Sequence, residues 1–159
     1  MNSIISEYYD LFELYQSLRN QLLAVLTDEN LAFIPGGENL SLGALCREIG
    51  EVQVSYIQSF ETLKQDFSYR NLEEGLEGSV ERLQAWFQEL DGQLRAAIEG
   101  FSEEDLENKV IDRGGDFIIP PRIQLEIYKE ALLIFYGKTS VYLKMLGRVP
   151  SEQWQEWIG

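Results

Sequence analysis

The chain contains no histidine, only one cysteine and few basic residues, and each shortage excludes a class of chemistry. Without histidine, the common Ser–His and Cys–His nucleophile pairs cannot form. The single Cys46 excludes an intramolecular disulfide and fits a reducing compartment. We interpret Cys46 as a small buried apolar residue, because no histidine adjoins it and its charged neighbours are only Arg47 and Glu48.

Positive charge is scarce, since 13 basic residues stand against 27 acidic ones and give a net charge of −14. Nucleic-acid binding draws most of its affinity from neutralising phosphates, so we expect no nucleic-acid partner and no membrane partner. No apolar run approaches the roughly 20 residues that cross a bilayer, and the N-terminus lacks the pattern of a signal peptide. We therefore expect a soluble cytoplasmic protein whose charge serves solubility.

The 159 residues are most economically one domain, 1–159, built from long amphipathic helices. Apolar residues recur at steps of three and four in three stripes, the spacing of one helix face. These stripes are Ile4, Tyr8, Leu11, Tyr15, Leu18, Leu22 and Val25; Leu42, Leu45, Ile49, Val52, Tyr56, Phe60 and Leu63; and Val80, Leu83, Phe87, Leu90, Leu94, Ile98 and Phe101. Ser41 is a plausible N-cap for the second helix.

The C-terminal third predicts a fourth long helix, which Pro120-Pro121 suits as an opening because a missing N–H does no harm there. It is apolar nearly all round from Ala131 to Tyr136, so we expect it to be the most enclosed helix. Residues 108–119 break the helical period and predict a small hairpin or an extended loop. A short terminal helix around Trp154 should follow. The fold class is all-α, a four-helix bundle.

Two segments resemble the DinB-like (damage-inducible, YfiT-like) family of four-helix bundles. One is residues 39–57, where Leu42-Gly-Ala-Leu45 is similar to the Leu-Gly-x-Leu opening of the family's second helix. The other is residues 130–147 with Val149-Pro150, similar to the fourth helix and its Gly-x-x-Pro ending. The resemblance implies a bundle of DinB-like topology and a metal-dependent hydrolase or transferase activity.

By the same resemblance, the family's three metal-binding histidines fall on Glu48, Ala131 and Phe135, and its Gly-Gln step falls on Gly137-Lys138. Alanine and phenylalanine have no atom that can bind a metal, and one glutamate cannot make a tight transition-metal site. We therefore expect no metal, no cofactor and no activity of the family type.

Several residues remain candidates for a pocket at this position. Glu48 is either a partly buried carboxylate or a solvated, ion-paired one. Lys138 could pair with Glu48 or reach solvent along its stem. Tyr56, Tyr128, Tyr136 and Tyr142 could line a cleft, although aromatic residues at helical spacing more often belong to a core.

Two arginines that bracket the glycine loop, Arg113 and Arg122, could cap the mouth of this pocket. Ion pairs at the surface are the simpler interpretation of both.

Three functions stay open. The first is a metal-free, non-catalytic protein that binds a small molecule or a protein partner. The second is a structural or stress-response module that self-associates. The third is a metal-independent hydrolase or transferase that uses Glu48. By resemblance we also expect a two-fold homodimer. Close packing of a second chain would explain a glycine, Gly137, in the middle of a helix. The second chain could also cover Trp86, which lies beside the third apolar stripe and not on it.

Overall fold

The computed structural model describes residues 1–159 and consists of helices and one small hairpin. A π-helical turn, Ile4–Tyr8, precedes the first helix, and a 3₁₀ turn, Leu76–Gly78, precedes the fourth. The α-helices are α1 (Tyr9–Ala24), α2 (Asp28–Leu31), α3 (Leu42–Thr62), α4 (Val80–Glu99), α5 (Glu103–Asn108), α6 (Pro121–Leu146) and α7 (Glu152–Trp157). The strands are β1 (Ile111–Asp112) and β2 (Ile118–Ile119). None of the helices combines the length and the apolar character that spanning a membrane requires.

The four long helices α1, α3, α4 and α6 form the predicted bundle. α3 packs against α4 and α6, and α1 packs against the same two helices, so α1 and α3 lie on one diagonal. The apolar stripes of α3 and α4 enter a single core, as the sequence predicts. The short α2 and the 3₁₀ turn pack against α3 near its N-terminus.

The helix ends follow the residues that the sequence singles out. Ser41 caps α3, since its hydroxyl accepts a hydrogen bond of 3.1 Å from the Ala44 N–H. Pro120 and Pro121 open α6, where the missing N–H groups would have no partner in the helix. Gly147 ends α6 in the left-handed conformation, which glycine adopts without a steric penalty.

The hairpin prediction for residues 108–119 is confirmed. Ile111 pairs with Ile119 and Asp112 with Ile118 in an antiparallel register. The hairpin is also tied to the segment after α3, because the Gln65 N–H donates to the Asp112 carbonyl at 2.8 Å. The hairpin thus closes the bundle end where α3 ends and α6 begins.

The predicted inner face of α1 is right at Leu18 and Leu22, which are fully buried, and wrong by one residue nearer the start of the helix. Leu11 is 48% exposed, whereas Tyr9 and Phe12 are fully buried. The π-helical turn before α1 adds residues per turn and shifts the phase of the stripe. The true inner face also contains Gln16 and Arg19, which an apolar pattern cannot reveal.

The prediction that α6 is the most enclosed helix is also wrong. Its inner face is buried, but Ile134 is 62% exposed, and Val141 and Met145 on the same side are more than half exposed. The terminal helix α7 behaves as predicted, since Trp154 is fully buried and packs on Tyr136 with ring centroids 5.1 Å apart. α6 therefore has an apolar outer face that nothing in this chain covers.

Trp86, expected to lack cover within one bundle, packs inside it. Its indole lies against Gly50 of α3, where a Cβ atom would come within 2.2 Å of the ring, and it stacks on Phe87. Gly50 is thus needed for the close contact between α3 and α4. Trp86 gives no support to a second copy of the chain.

We predict opposite effects for two glycine-to-alanine changes in helices. At Gly43 a Cβ would lie 1.8 Å from the Glu77 carbonyl oxygen, so Gly43→Ala should lower the free energy of unfolding by about 1–3 kcal/mol. At Gly92 nothing lies within 4 Å, so Gly92→Ala should raise it by up to about 1 kcal/mol through helix propensity. Urea denaturation measures both, and a stabilising Gly43→Ala would contradict the packing described.

Candidate functional site

One small cavity between α3 and α6 is lined by the candidate residues Glu48, Ala131, Phe135 and Lys138, but not by Tyr56 or Tyr128. Residues 131, 135 and 138 lie on one side of α6 because they are spaced four and three apart, and Glu48 faces them from α3. The cavity has a volume of about 160 Å³. Its other lining residues are apolar: Leu45, Ile49, Val52 and Ile134. The cavity is therefore a hydrophobic recess with one carboxylate and one ammonium group among its walls.

Glu48 is a solvated carboxylate and not a buried one. The residue is exposed and takes part in no ion pair within 4.0 Å. Lys138 is exposed as well and does not pair with Glu48, so its stem runs along the apolar wall to solvent. Both charges at this recess are free to meet a ligand.

The lining of this recess does not fit a metal ion. Phe135 is 5% exposed and Ala131 half-buried, and neither side chain has a donor atom. No group of three Cys, Asp or Glu side chains gathers anywhere that could hold a metal. The phenyl ring of Phe135 instead contributes apolar area where the family resemblance puts a histidine.

Tyr56 and Tyr128 belong to the core and do not line the recess. Both are at least 98% buried, and their rings pack against each other with centroids 5.0 Å apart. Burial raises the pKa of the Tyr128 hydroxyl well above its usual value. Tyr142 is held in place by a 2.6 Å hydrogen bond from its hydroxyl to the Leu40 carbonyl. The interpretation of these tyrosines as core residues fits their positions.

A second, larger cavity adjoins the recess on the other side of α3. Its volume is about 380 Å³, and it shares Glu48 and Val52 with the recess. The remaining walls are Leu40, Ala44, Arg47, Glu51, Ser55, Phe67 and Arg70. We call the two cavities together the α3 cleft. One of its walls is the irregular segment after α3, which carries no periodic signal in the sequence.

Inside the α3 cleft, Glu51 holds that irregular segment against α3. The Glu51 carboxylate is nearly buried and accepts a hydrogen bond of 3.0 Å from the Asn71 N–H. Arg47 lies 3.7 Å from the same carboxylate and 2.9 Å from Glu77. These two charges are therefore already neutralised within the protein.

Arg70 differs from Arg47, because no carboxylate lies within 4.0 Å of its guanidinium group. Its Nη1 donates to the carbonyls of Phe67 at 2.8 Å and Tyr69 at 2.6 Å. The segment's own backbone thus fixes the guanidinium group at the wall of the cleft.

Surface ion pairing of Arg113 and Arg122 is not what the structure shows. Arg113 donates to the Gln124 side chain at 2.7 Å and lies over the rings of Tyr56 and Phe67. Arg122 donates to the Ser3 hydroxyl at 2.7 Å. Neither residue lines the α3 cleft.

Cys46 is fully buried, as its interpretation as an apolar residue requires. Burial raises the pKa of its thiol to about 12, so the nucleophilic thiolate is scarce near neutral pH. Cys46 therefore contributes packing rather than chemistry.

The core contains a buried polar network that the apolar periodicity does not predict. Arg19 is completely buried and donates to Asp91 at 2.5 Å and to Gln53 at 2.5 Å. Its guanidinium carbon lies 4.0 Å from the centroid of the Phe87 ring. Arg19 follows the stripe residue Leu18, but Ser17, Asn20 and Gln21 around it are polar, so the local sequence does not mark it as buried.

Comparison with known proteins adds a family and a fold. A family model described as the DinB superfamily matches residues 11–129. A DinB-like protein from Bacillus cereus ATCC 10987 has a similar structure, with a TM-score of 0.75, 18% identity, and coverage of 95% of this chain and 98% of that chain. A DinB-like protein from Bacillus subtilis is similar with a TM-score of 0.66 and 16% identity, over 85% and 88% of the two chains. No curated protein matches the chain.

We predict that Phe135 matters far more to stability than Glu48. Removing a buried phenyl ring should cost about 3–5 kcal/mol in Phe135→Ala, whereas Glu48→Gln at an exposed, unpaired position should stay within about 0.5 kcal/mol. Chemical denaturation measures both variants. Phe67→Ala is a matched control, because that ring is 46% exposed and should cost less than Phe135. Equal losses in Phe135→Ala and Glu48→Gln would contradict the apolar recess.

Proposed function

The chain belongs to the DinB superfamily, and we propose that it is a metal-free, non-catalytic member that binds a small molecule in the α3 cleft. The observation that carries this proposal is that the two cavities adjoin each other, since Glu48 and Val52 line both. The larger cavity is of a size typical of small-molecule sites, and the recess extends it with apolar walls.

The arrangement of charges in the α3 cleft favours binding over catalysis. A general acid or base must be held within hydrogen-bond reach of the proton it transfers, and neighbouring groups usually fix its position. Glu48 is exposed and has neither an ion-pair partner nor a hydrogen-bonded side chain that would orient it. Lys138 is likewise exposed. These features support a site that holds a molecule, and they give no particular support to a hydrolase or transferase that uses Glu48.

We predict that Val52→Phe blocks the α3 cleft, since Val52 is shared by both cavities. The probe is N-phenyl-1-naphthylamine, a neutral dye that fluoresces in apolar surroundings. Wild-type protein should bind the dye and Val52→Phe should bind it at least about tenfold more weakly. Val110→Phe is the matched control, because Val110 is exposed and lies outside the cleft. Thermal unfolding of each variant verifies the fold. Unchanged binding in Val52→Phe would remove the α3 cleft as the site.

A specific observation also favours a second candidate function, self-association through α6. Ile123, Ile134, Val141 and Met145 are exposed and fall on one outer stripe of this helix. Gly137 lies in the same stripe, and a Cβ atom there would find nothing within 4 Å. Gly137 therefore does not accommodate a helix of its own chain, and a second chain could approach closely at this point.

Charge along this stripe favours a two-fold, antiparallel pairing. Glu130 and Lys144 each lie seven residues from Gly137 on opposite sides, and both are exposed. A two-fold axis at Gly137 would bring Glu130 of one protomer near Lys144 of the partner subunit. We propose a homodimer of this geometry, in which the partner also lies beside Ile134 at the mouth of the recess.

We predict that dimerisation strengthens as salt rises, because each protomer carries a net charge of −14 and screening weakens their repulsion. Light scattering at tens of micromolar protein should give a dimer mass at high salt. Val141→Glu should yield monomers, whereas the control Val110→Glu, equally exposed but on the hairpin side, should not. A monomer mass of wild-type protein at both low and high salt would end the dimer proposal.

A further inference from the structure

Arg70 is fixed in place while most of its hydrogen-bonding capacity is unused. Its Nη1 is occupied by the carbonyls of Phe67 and Tyr69, but Nε and Nη2 have no partner in the protein. Together these two nitrogens carry three N–H groups in a planar fork, the arrangement that binds a carboxylate with two parallel hydrogen bonds. The free edge belongs to a residue that lines the larger cavity of the α3 cleft.

An arginine without an ion pair is unexpected in a protein that has twice as many acidic as basic residues. Of the 13 basic residues, six take part in ion pairs, although 27 acidic residues are available. Arg70 and Lys138 are among the seven that do not, and both line the cleft. Two of the seven unpaired cations of the protein therefore line the α3 cleft.

Unpaired cations outnumber unpaired carboxylates in the α3 cleft, because Arg70 and Lys138 have no ion pair and Arg47 is engaged by Glu51 and Glu77. Its walls carry three cations, Arg47, Arg70 and Lys138, against two carboxylates, Glu48 and Glu51. Glu51 is already engaged by the Asn71 N–H and by Arg47. An anionic group that enters the larger cavity thus meets a free guanidinium edge, with Glu48 as the one unpaired carboxylate.

The rest of the cleft suits an apolar body attached to that anion. Phe67, three residues before Arg70, is 46% exposed and lines the same cavity. Beyond Val52, the recess continues with Leu45, Ile49 and Phe135. A molecule that spans both cavities would place its charged end near Arg70 and its hydrophobic end near Phe135.

We infer that the ligand of the α3 cleft is a small organic acid, in which a carboxylate or similar oxyanion binds the free edge of Arg70 and an apolar body lies along Val52 toward Phe135. This inference rests on the proposed function, because it specifies the chemistry of the molecule held in the same cleft. Charge-assisted hydrogen bonds to the guanidinium group supply the selectivity for an anion over a neutral molecule of equal shape.

The test compares two dyes that differ by one charged group. These are 8-anilinonaphthalene-1-sulfonate, an anion, and N-phenyl-1-naphthylamine, its neutral counterpart. Wild-type protein should bind the sulfonate more tightly than the neutral dye, by about tenfold or more. Arg70→Gln should remove this difference and leave binding of the neutral dye unchanged. Glu48→Gln should strengthen sulfonate binding, because it removes the unpaired negative charge from the cleft.

A matched control is Arg148→Gln, since Arg148 is also exposed and without an ion pair but lies outside the α3 cleft. It should change neither dye's affinity. If the sulfonate shows no advantage that depends on Arg70, while Val52→Phe still abolishes binding of the neutral dye, the inference fails and the proposed function stands. If neither dye binds, or if Val52→Phe affects neither, both fail.

Discussion

The structure depends on a charged group at the centre of the bundle, the guanidinium of Arg19. It is fully buried, its charge is balanced by Asp91 at 2.5 Å, and it donates a hydrogen bond to the side-chain oxygen of Gln53. Breaking such a buried pair by removing one partner typically costs about 3–5 kcal/mol, because the remaining charge is left without compensation. Gln16 and Gln53 both donate to the same Asp91 oxygen at 2.9 Å, so the network joins α1, α3 and α4.

This network constrains how the helices can slide or rotate. Arg19 reaches Gln53 across the diagonal from α1 to α3, and an alternative register would leave the guanidinium buried without its partners. Gly50 makes a second constraint on the same helix, since only glycine lets the Trp86 indole lie against α3. With its inner face fixed in this way, α3 presents Glu48 and Val52 on the outer side, where the cleft lies.

The sequence predicts the elements of this fold better than it predicts their faces. Ser41, Pro121 and Gly147 act through local backbone chemistry, so their helix ends follow from sequence alone. The inner face of α1 does not, because Arg19 is polar and its burial depends on residues more than 30 positions away. The apolar outer face of α6 is exposed although its sequence predicts burial, because helical periodicity shows hydrophobicity but not which neighbour covers it. Four residues of the α3 cleft could be predicted by family resemblance, whereas Arg70 could not, because its segment has no periodic pattern and is positioned by Glu51.

Phe135 stands where the family resemblance puts a histidine, and the two side chains need different surroundings. A histidine there would need a metal, a proton or a hydrogen bond to satisfy its nitrogens, whereas a nearly buried phenyl ring is stable only against apolar surroundings. Phenylalanine therefore favours a recess that accepts hydrophobic groups. The apolar recess tolerates the charged groups of Glu48 and Lys138 because both residues are exposed to solvent at its edge. A ligand of the kind proposed would be selected in such a recess by its shape and by the position of one charge, because the interior is apolar and the charges lie at the rim.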